Sequence, residues 1–231
     1  MGSFRQIIVQ LPLVGPIARY IYRALVPVRP DRGFSSAQYW ENRYSTGGSS
    51  GAGSYGRLAE FKARTINSFV ADHGVRSLIE FGSGDGAQLD LAHYPAYVGI
   101  DVSARAVELC RSRFRDDPSK QFLLASTPEA GLARAELAMS LDVIYHLVED
   151  AVFEQYMTRL VAAAEKFICI YSSNTTRTMR ERHVRHRVFT DWMDRNASGW
   201  KLIQKVDNPF PEDPNNPDQT SWADFYFYQK L

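Results

Sequence analysis

A glycine-rich turn after a short apolar segment constrains this chain more than any other feature. Residues 78–81 are apolar apart from Glu80, and Gly82, Gly84 and Gly86 follow. Because glycine lacks a Cβ atom, it adopts positive φ angles and lets the backbone come close to a ligand. The stretch therefore predicts a strand that runs into a tight turn, with a small molecule bound against the turn.

The charge of this turn indicates which kind of ligand it binds. The spacing Gly82-x-Gly84-x-x-Ala87 also fits a dinucleotide-binding turn. However, Glu80 ends the strand, and Asp85 lies where a dinucleotide would place its pyrophosphate, so two carboxylates would repel that phosphate. They suit a ligand that carries an ammonium and a sulfonium group but no phosphate, which describes S-adenosylmethionine. A turn that binds nothing is the structural alternative.

A second short apolar segment, residues 97–101, ends in a carboxylate. Asp101 lies about twenty residues after the first glycine, where an acidic residue binds ribose hydroxyls in nucleotide-binding folds. At this point the sequence resembles the class I S-adenosylmethionine-dependent methyltransferases. Glu80-x-Gly82-x-Gly84-x-Gly86 is similar to their first motif, and Gly99-Ile100-Asp101-Val102-Ser103 to their second. The resemblance implies a Rossmann-like α/β fold: a seven-stranded, mostly parallel sheet with helices on both faces and an antiparallel last strand.

The resemblance also implies which residues hold the cofactor. Many related enzymes place an acidic residue after the third strand to bind the adenine amine, whereas Ser126 stands there in this chain. A Gly- and Ser-rich segment, residues 45–56, is expected to form a lid over the methionine end of the cofactor, with Arg43 near the carboxylate. The expected cofactor-binding residues are Glu80, Gly82, Ser83, Gly84, Asp85, Gly86, Asp101, Val102, Ser126, Leu141 and Arg43.

We expect the acceptor chemistry in the turn after the fourth strand. Residues 137–141 are apolar apart from Ser140, and the carboxyl end of such a strand faces the ligand crevice in an open parallel sheet. A sugar or other aliphatic hydroxyl is too weakly acidic to attack a methyl group unaided, so a base should contribute roughly 10² to 10⁴ in rate. We predict His146 as this base, with Asp142 as its catalytic partner. A structural hydrogen bond is the alternative role for His146.

Further residues near this turn leave alternatives open. Glu149 and Asp150 could also orient the imidazole of His146, and two other histidines, His183 and His186, could replace it as the base. Both lie in an arginine-rich stretch and are rivals for the same chemistry.

That stretch, residues 177–187, holds five arginines and two histidines, although the chain has a formal net charge of only +1. The simpler interpretation is a solvated helix face. The functional interpretation is that guanidinium groups bind hydroxyls, carboxylates or phosphates of the acceptor. We expect an acceptor segment over residues 174–199, with aromatic rings that stack on a sugar. The expected acceptor-binding residues are Tyr145, Asn174, Arg180, His183, His186 and Trp222.

Four stretches resemble a smaller bacterial group of enzymes that accompany polysaccharide biosynthesis, including mycobacterial O-methyltransferases that act on methylated mannosides. They are residues 39–44, 47–56, 140–150 and 170–174. This resemblance implies that the acceptor is a hydroxyl of a sugar or oligosaccharide. The alternatives are a methyltransferase for natural-product or lipid hydroxyls or amines, a binding module without catalysis, and a nicotinamide oxidoreductase. We predict no metal.

Residues 1–36 are predicted to form an extension to a single methyltransferase domain over residues 37–231. Residues 16–26 repeat apolar side chains at helical spacing, which predicts an amphipathic helix. Such a helix could pack on the domain, pair two subunits into a homodimer or lie on a membrane surface. The uncharged run at residues 6–18 is too short to span a bilayer.

Composition indicates a cytoplasmic enzyme without a nucleic-acid partner. A net charge of +1 provides no overall basic surface for nucleic acid. Cys110 and Cys169 lack metal-ligand spacing and are predicted to be buried thiols in a reducing compartment.

Overall fold

The computed structural model describes residues 33–231. The predicted helix at residues 16–26, and the membrane or subunit contact expected from it, lie outside the described residues. No helix within residues 33–231 is both long enough and apolar enough to cross a membrane.

A seven-stranded sheet forms the centre of the domain. Its strands are β1 (Leu78–Phe81), β2 (Tyr97–Asp101), β3 (Lys120–Leu124), β4 (Ala135–Leu141), β5 (Ala164–Ser172), β6 (Trp200–Val206) and β7 (Asp224–Lys230). Their spatial order is β3-β2-β1-β4-β5-β7-β6. The first five strands run parallel, and β7 pairs antiparallel with both β5 and β6. The predicted mostly parallel sheet with an inverted last strand is therefore confirmed.

Helices cover both faces of this sheet. They are α1 (Ser36–Ser45), α2 (Gly56–Asp72), α3 (Ala104–Arg113), α4 (Pro128–Leu132), α5 (Asp150–Ala163) and α6 (Phe189–Asn196). Side chains of α2 and α3 belong to one apolar layer, and those of α4, α5 and α6 belong to the other. Side chains of successive residues in β7 point alternately into the two layers. The ring of Phe227 stacks on Phe69 of α2 at 4.2 Å, and Tyr226 meets Phe189 of α6 at 5.0 Å.

Two local elements differ from the sequence prediction. Helix α1 was not predicted, because its apolar side chains are few and only Ser36 and Tyr44 are buried. Its one clear signal is the N-cap, where the Ser35 side chain accepts a hydrogen bond from Gln38 N. The prediction of a helix face over residues 177–187 is wrong, because that segment forms no regular element.

The strand order places the acidic residues at one edge. Strand β1 pairs with β2 on one side and β4 on the other, all parallel, so Glu80, Asp101 and Asp142 meet at their carboxyl ends. From β1 the chain adds β2 and β3 on one side, and it then returns to add β4 and β5 on the other side of β1. In open α/β sheets the ligand crevice lies at such a switch point.

Candidate active site

A cavity lies at the carboxyl ends of β1, β2 and β4. Its polar side chains include Lys62, Glu80, Asp101, Asp142, His146, Gln155 and Arg159. Apolar groups from Trp40, Phe81, Ile100, Val102, Leu141, Val143, Leu147, Val152 and Tyr156 form the rest of the wall. Gly82, Ser83 and Gly84 line it with their backbone. The cavity therefore combines a glycine cradle with buried charges of both signs.

The glycine turn has the positive φ angles that the sequence predicts. The values are 92° at Gly82, 59° at Gly84 and 76° at Gly86. A Cβ atom at Gly82 would collide with the Val143 side chain, and one at Gly84 would collide with Ser50. Gly86 packs instead against Phe114 and is not part of the cavity wall, so its role is structural.

Asp101 holds the turn against β2. Its carboxylate accepts hydrogen bonds from the backbone N–H groups of Gly84 and Ser103, both at 2.9 Å. Burial raises the pKa of Asp101, and these amide bonds oppose the rise. The side chain lines the cavity, at the position where the sequence predicts a contact with ribose hydroxyls.

Glu80 is a buried carboxyl group at the end of β1. It is 6% exposed, and the Tyr97 hydroxyl donates a hydrogen bond to it at 2.6 Å. Burial raises the pKa of Glu80 to about 7, although the hydrogen bond from Tyr97 and the positive charge of Lys62 act in the opposite direction. A cationic group of a ligand beside Glu80 would favour its ionised form.

Asp85 does not lie where the sequence argument placed it. Its carboxylate accepts hydrogen bonds from Ser50 N at 2.9 Å and from the Tyr55 hydroxyl at 3.2 Å, and it is not part of the cavity wall. Asp85 thus connects the predicted lid segment to the glycine turn. The second carboxylate that joins Glu80 in the cavity is Asp101, because the tertiary contacts direct Asp85 to residues 50–55 instead.

Arg43 is likewise outside the cavity wall. Its Nε donates to the Ser49 carbonyl oxygen at 2.6 Å, and its guanidinium lies 5.5 Å from the centre of the Trp40 ring. The cation that does line the cavity at the Glu80 end is Lys62, which the sequence analysis missed. A signal was present, because Lys62 follows Leu58 and precedes Ile66 at intervals of four on the buried face of α2.

Asp142 has a constrained backbone and two strong partners. Among residues 33–231 it is the only non-glycine residue with a positive φ, at 59°. Its carboxylate accepts from Lys62 Nζ and from the Tyr145 hydroxyl, each at 2.7 Å. A left-handed conformation at such a residue costs about 1–3 kcal/mol, so the surrounding contacts hold it in place.

His146 lines the cavity and is oriented by the backbone. Its Nδ1 lies 2.9 Å from the carbonyl oxygen of His183. A carbonyl oxygen can only accept, so Nδ1 carries the proton and Nε2 of the neutral ring is an acceptor. Burial lowers the pKa of His146 to about 4, against the opposing hydrogen bond to His183 and the charge of Asp142. The imidazole is therefore neutral at neutral pH.

The carboxylates predicted to orient His146 are bound elsewhere. Asp142 is held by Lys62 and Tyr145, and Glu149 accepts a hydrogen bond from Ser36 N at 2.9 Å. Asp150 forms ion pairs with two arginines of residues 177–187. The prediction of an orienting carboxylate is wrong because a backbone carbonyl takes its place.

Aromatic and imidazole rings gather around His146. The Trp40 ring lies edge-on at 4.9 Å, and the His183 ring stacks at 5.4 Å. Tyr39 covers the other side of His183 at 4.7 Å. These contacts pack α1 against the turn after β4 and against residues 177–187.

A second group of predicted acceptor residues lies next to this stack. The Trp222 ring is 5.7 Å from Tyr145 and 5.0 Å from His186, both edge-on. His186 is buried, and its Nδ1 lies 2.5 Å from the Ser173 hydroxyl oxygen. The structure therefore brings together Tyr145, His146, His183, His186 and Trp222.

Of the five residues just named, His146 lines the cavity wall and the other four lie outside it. Three further predicted residues lie outside the wall as well. Arg180 is exposed, and Asn174 is hydrogen-bonded to the Thr190 hydroxyl at 2.9 Å. Ser126 is not part of the wall either. The preceding residue, Ala125, lines the cavity there, together with Gln155 and Arg159 of α5.

The arginines of residues 177–187 mainly fix the segment in place. Arg185 and Arg187 pair with Asp150 at 2.9 and 2.8 Å, and Arg187 also donates to the Leu147 and Val148 carbonyl oxygens. Arg177 pairs with Glu212 across the loop before β7. These contacts stabilise the turn that carries His146.

Neither a family model nor a curated protein sequence matches the chain. Solved structures do match its architecture. Magnesium protoporphyrin IX methyltransferase (ChlM) from Synechocystis PCC 6803 with bound SAM aligns at 12% identity with a TM-score of 0.61, covering 87% of this chain and 100% of that chain. N-methyltransferase NodS from Bradyrhizobium japonicum WM9 in complex with S-adenosyl-L-homocysteine aligns at 14% identity with a TM-score of 0.64, covering 85% and 99%. The fold is the class I methyltransferase fold.

The class I methyltransferase fold leaves the acceptor open. The CurJ carbon methyltransferase also aligns, at 13% identity with a TM-score of 0.53 over 75% of this chain and 54% of that chain. The names of these neighbours thus refer to different acceptors on one fold. Within residues 33–231, no group of three or more His, Cys, Asp or Glu side chains is placed to hold a metal ion.

Proposed function

We propose that the chain is an S-adenosylmethionine-dependent methyltransferase. The observation that carries this proposal is the pair of buried carboxyl groups, Glu80 and Asp101, beside the cradle of Gly82 and Gly84. When bound, S-adenosylmethionine supplies a methyl group on a positively charged sulfur. Glu80 would bind its ammonium group, and Asp101 would accept hydrogen bonds from its ribose hydroxyls. Two of the three neighbours named above, ChlM and NodS, have structures that contain S-adenosylmethionine or S-adenosylhomocysteine, which adds support.

We further propose that the acceptor group is a hydroxyl and that His146 takes its proton. The bond from Nδ1 to His183 fixes the tautomer that leaves Nε2 unprotonated. Because burial keeps the imidazole neutral at neutral pH, Nε2 is available as a proton acceptor. Burial in the stack of Trp40 and His183 restricts water around it.

For the substrate class, we propose a sugar or short oligosaccharide. The rings of Trp40 and His146 line the cavity, Tyr145 packs against His146, and Trp222 packs against Tyr145. Apolar ring faces beside hydrogen-bonding groups suit a sugar ring. The resemblance of residues 39–44 and 140–150 to polysaccharide-associated methyltransferases supports the same acceptor. The main alternative is a natural-product or lipid hydroxyl or amine, because much of the cavity wall is apolar.

Ligand binding followed by an acceptor panel tests these proposals in order. S-adenosylhomocysteine at about one hundred times its Kd should stabilise the folded protein by about 2.7 kcal/mol and raise its Tm, whereas NAD should not. Stabilisation by NAD alone would refute the cofactor assignment. Mannosides, rhamnosides and glucosides are then assayed with labelled cofactor, with an alkyl alcohol and an amine for comparison. Transfer to the amine alone would refute the hydroxyl acceptor.

A further inference from the structure

One ion pair joins the two halves of the cavity. Lys62 Nζ and Asp142 Oδ2 are 2.7 Å apart, and both residues line the wall. We propose that Lys62 is shared between two carboxylates: that of Asp142 in the free protein, and that of the cofactor's amino-acid group in the complex. Binding of the cofactor would then release Asp142 to accept a hydrogen bond from the acceptor. This inference rests on the proposed function.

The position of Lys62 supports a contact with an amino-acid carboxylate. Of the described residues that line the cavity, Lys62 and Arg159 are the Lys and Arg side chains. Arg159 donates to the Ala125 carbonyl oxygen at 3.2 Å, and Ala125 N bonds to the backbone of Asp101, so Arg159 belongs to the ribose end. Lys62 acts electrostatically on Glu80 at the other end. Since the ammonium and carboxylate groups of an amino acid share one carbon atom, a ligand whose ammonium meets Glu80 presents its carboxylate close by.

Burial favours an anion beside the ammonium group of Lys62. Its side chain is 2% exposed, whereas that of Asp142 is 21% exposed. Without a partner, an ammonium group buried to this extent has a larger free-energy cost than the partly hydrated carboxylate has. Lys62 can therefore leave Asp142 only when another carboxylate replaces it.

Asp142 stays in place without Lys62. The Tyr145 hydroxyl donates to Oδ1 at 2.7 Å, and the backbone N–H of Asp142 donates to the Tyr171 carbonyl oxygen at 2.9 Å. Once released, Oδ2 has free lone pairs for a hydroxyl donor. The cofactor and the acceptor would then bind with positive coupling, cofactor first.

The test compares two ligands by calorimetry. S-adenosylhomocysteine carries the carboxylate, and its decarboxylated analogue, S-adenosyl-3-thiopropylamine, retains the nucleoside and the ammonium. Lys62→Met should weaken S-adenosylhomocysteine by about 10- to 100-fold, as expected for a hydrogen bond to a charged group. The analogue should bind both proteins within about threefold.

Asp142→Asn gives a result of opposite sign. It removes the competing carboxylate, so S-adenosylhomocysteine should bind about three- to tenfold more tightly, with the analogue unchanged. Asparagine also tolerates the left-handed backbone of this position. If the ion pair only holds α2 to the turn after β4, Asp142→Asn should weaken or leave unchanged the binding of both ligands, and the inference would be overturned.

Thermal melting of each variant checks that it folds. Should Lys62→Met fail to fold, the double variant Lys62→Met with Asp142→Asn replaces the buried pair by two neutral groups. This double variant should bind S-adenosylhomocysteine more weakly than the natural protein does, and the analogue with about the same affinity. If it binds both ligands with the affinities of the natural protein, the inference is refuted. Binding of neither ligand by the natural protein would refute the proposed function as well.

Discussion

The buried carboxyl group of Glu80 should make cofactor binding depend on pH. In the free protein burial raises the pKa of Glu80 from 4.5 to about 7, so the group is largely protonated below that pH. A bound ammonium group requires the ionised form and lowers the pKa again. The sign follows: below about pH 7 binding must release a proton, and affinity falls as the pH decreases.

The magnitude follows from the same shift. A change from 4.5 to about 7 corresponds to about 3 kcal/mol of differential interaction between the two protonation states. If the ammonium restores the ordinary pKa, the affinity for S-adenosylhomocysteine falls by up to about tenfold per pH unit below 7, and at pH 5 it is roughly 80-fold below its plateau above pH 7. At higher pH the ligand's own α-amino group loses its proton, which sets an upper limit to the rise.

Calorimetry over this pH range measures the effect. Titrations in two buffers with different ionisation enthalpies give the number of protons released at each pH. Two controls isolate Glu80 from Asp101, whose pKa burial also raises. Glu80→Gln removes the titrating group. The ligand 5′-methylthioadenosine keeps the nucleoside but lacks the α-ammonium group of the amino acid. An unchanged pH slope in Glu80→Gln, or the same slope with methylthioadenosine, would refute the assignment of the ammonium to Glu80.

Other substitutions test the remaining parts of the site. His146→Ala should lower turnover by roughly 10² to 10⁴ with an unchanged Kd for S-adenosylhomocysteine, and near-normal turnover would exclude it as the base. With the natural residue and saturating S-adenosylmethionine, the acid limb of kcat/KM for the acceptor should lie at about pH 4, below the ordinary 6.5 of histidine, because only the neutral ring accepts a proton. Gly84→Ala should abolish cofactor binding or lower Tm, since its φ is 59° and a Cβ meets Ser50; Gly131→Ala, with open space around it, is the control. Asp85→Ala should speed proteolysis within residues 45–56, because it removes the hydrogen bonds to Ser50 and Tyr55. Equal cleavage rates for the variant and the natural protein would contradict this prediction.

The contrast between Asp85 and Lys62 shows where sequence reasoning reaches its limit. Asp85 is adjacent to the glycines in sequence, yet Ser50, 35 residues away, takes its carboxylate. Lys62 stands 80 residues from Asp142, and the two meet only because α2 packs against the carboxyl end of β4. His146 was identified from its place after β4, but its partner is a carbonyl oxygen 37 residues later, which no side-chain pattern can indicate.

Local sequence patterns were sufficient to predict the strands, the glycine turn and the position of Asp101. These depend on local physics: apolar runs form buried strands, glycines permit positive φ, and parallel strands bring their carboxyl ends to one edge. Which charged groups face the cavity depends instead on long-range packing. A side chain bonds to whichever partner the packed helices and loops bring within about 3 Å, and those partners are distant in the chain. Glu80 and Lys62 therefore lie in the cavity wall, whereas Asp85 and Arg43 bind the neighbouring segment.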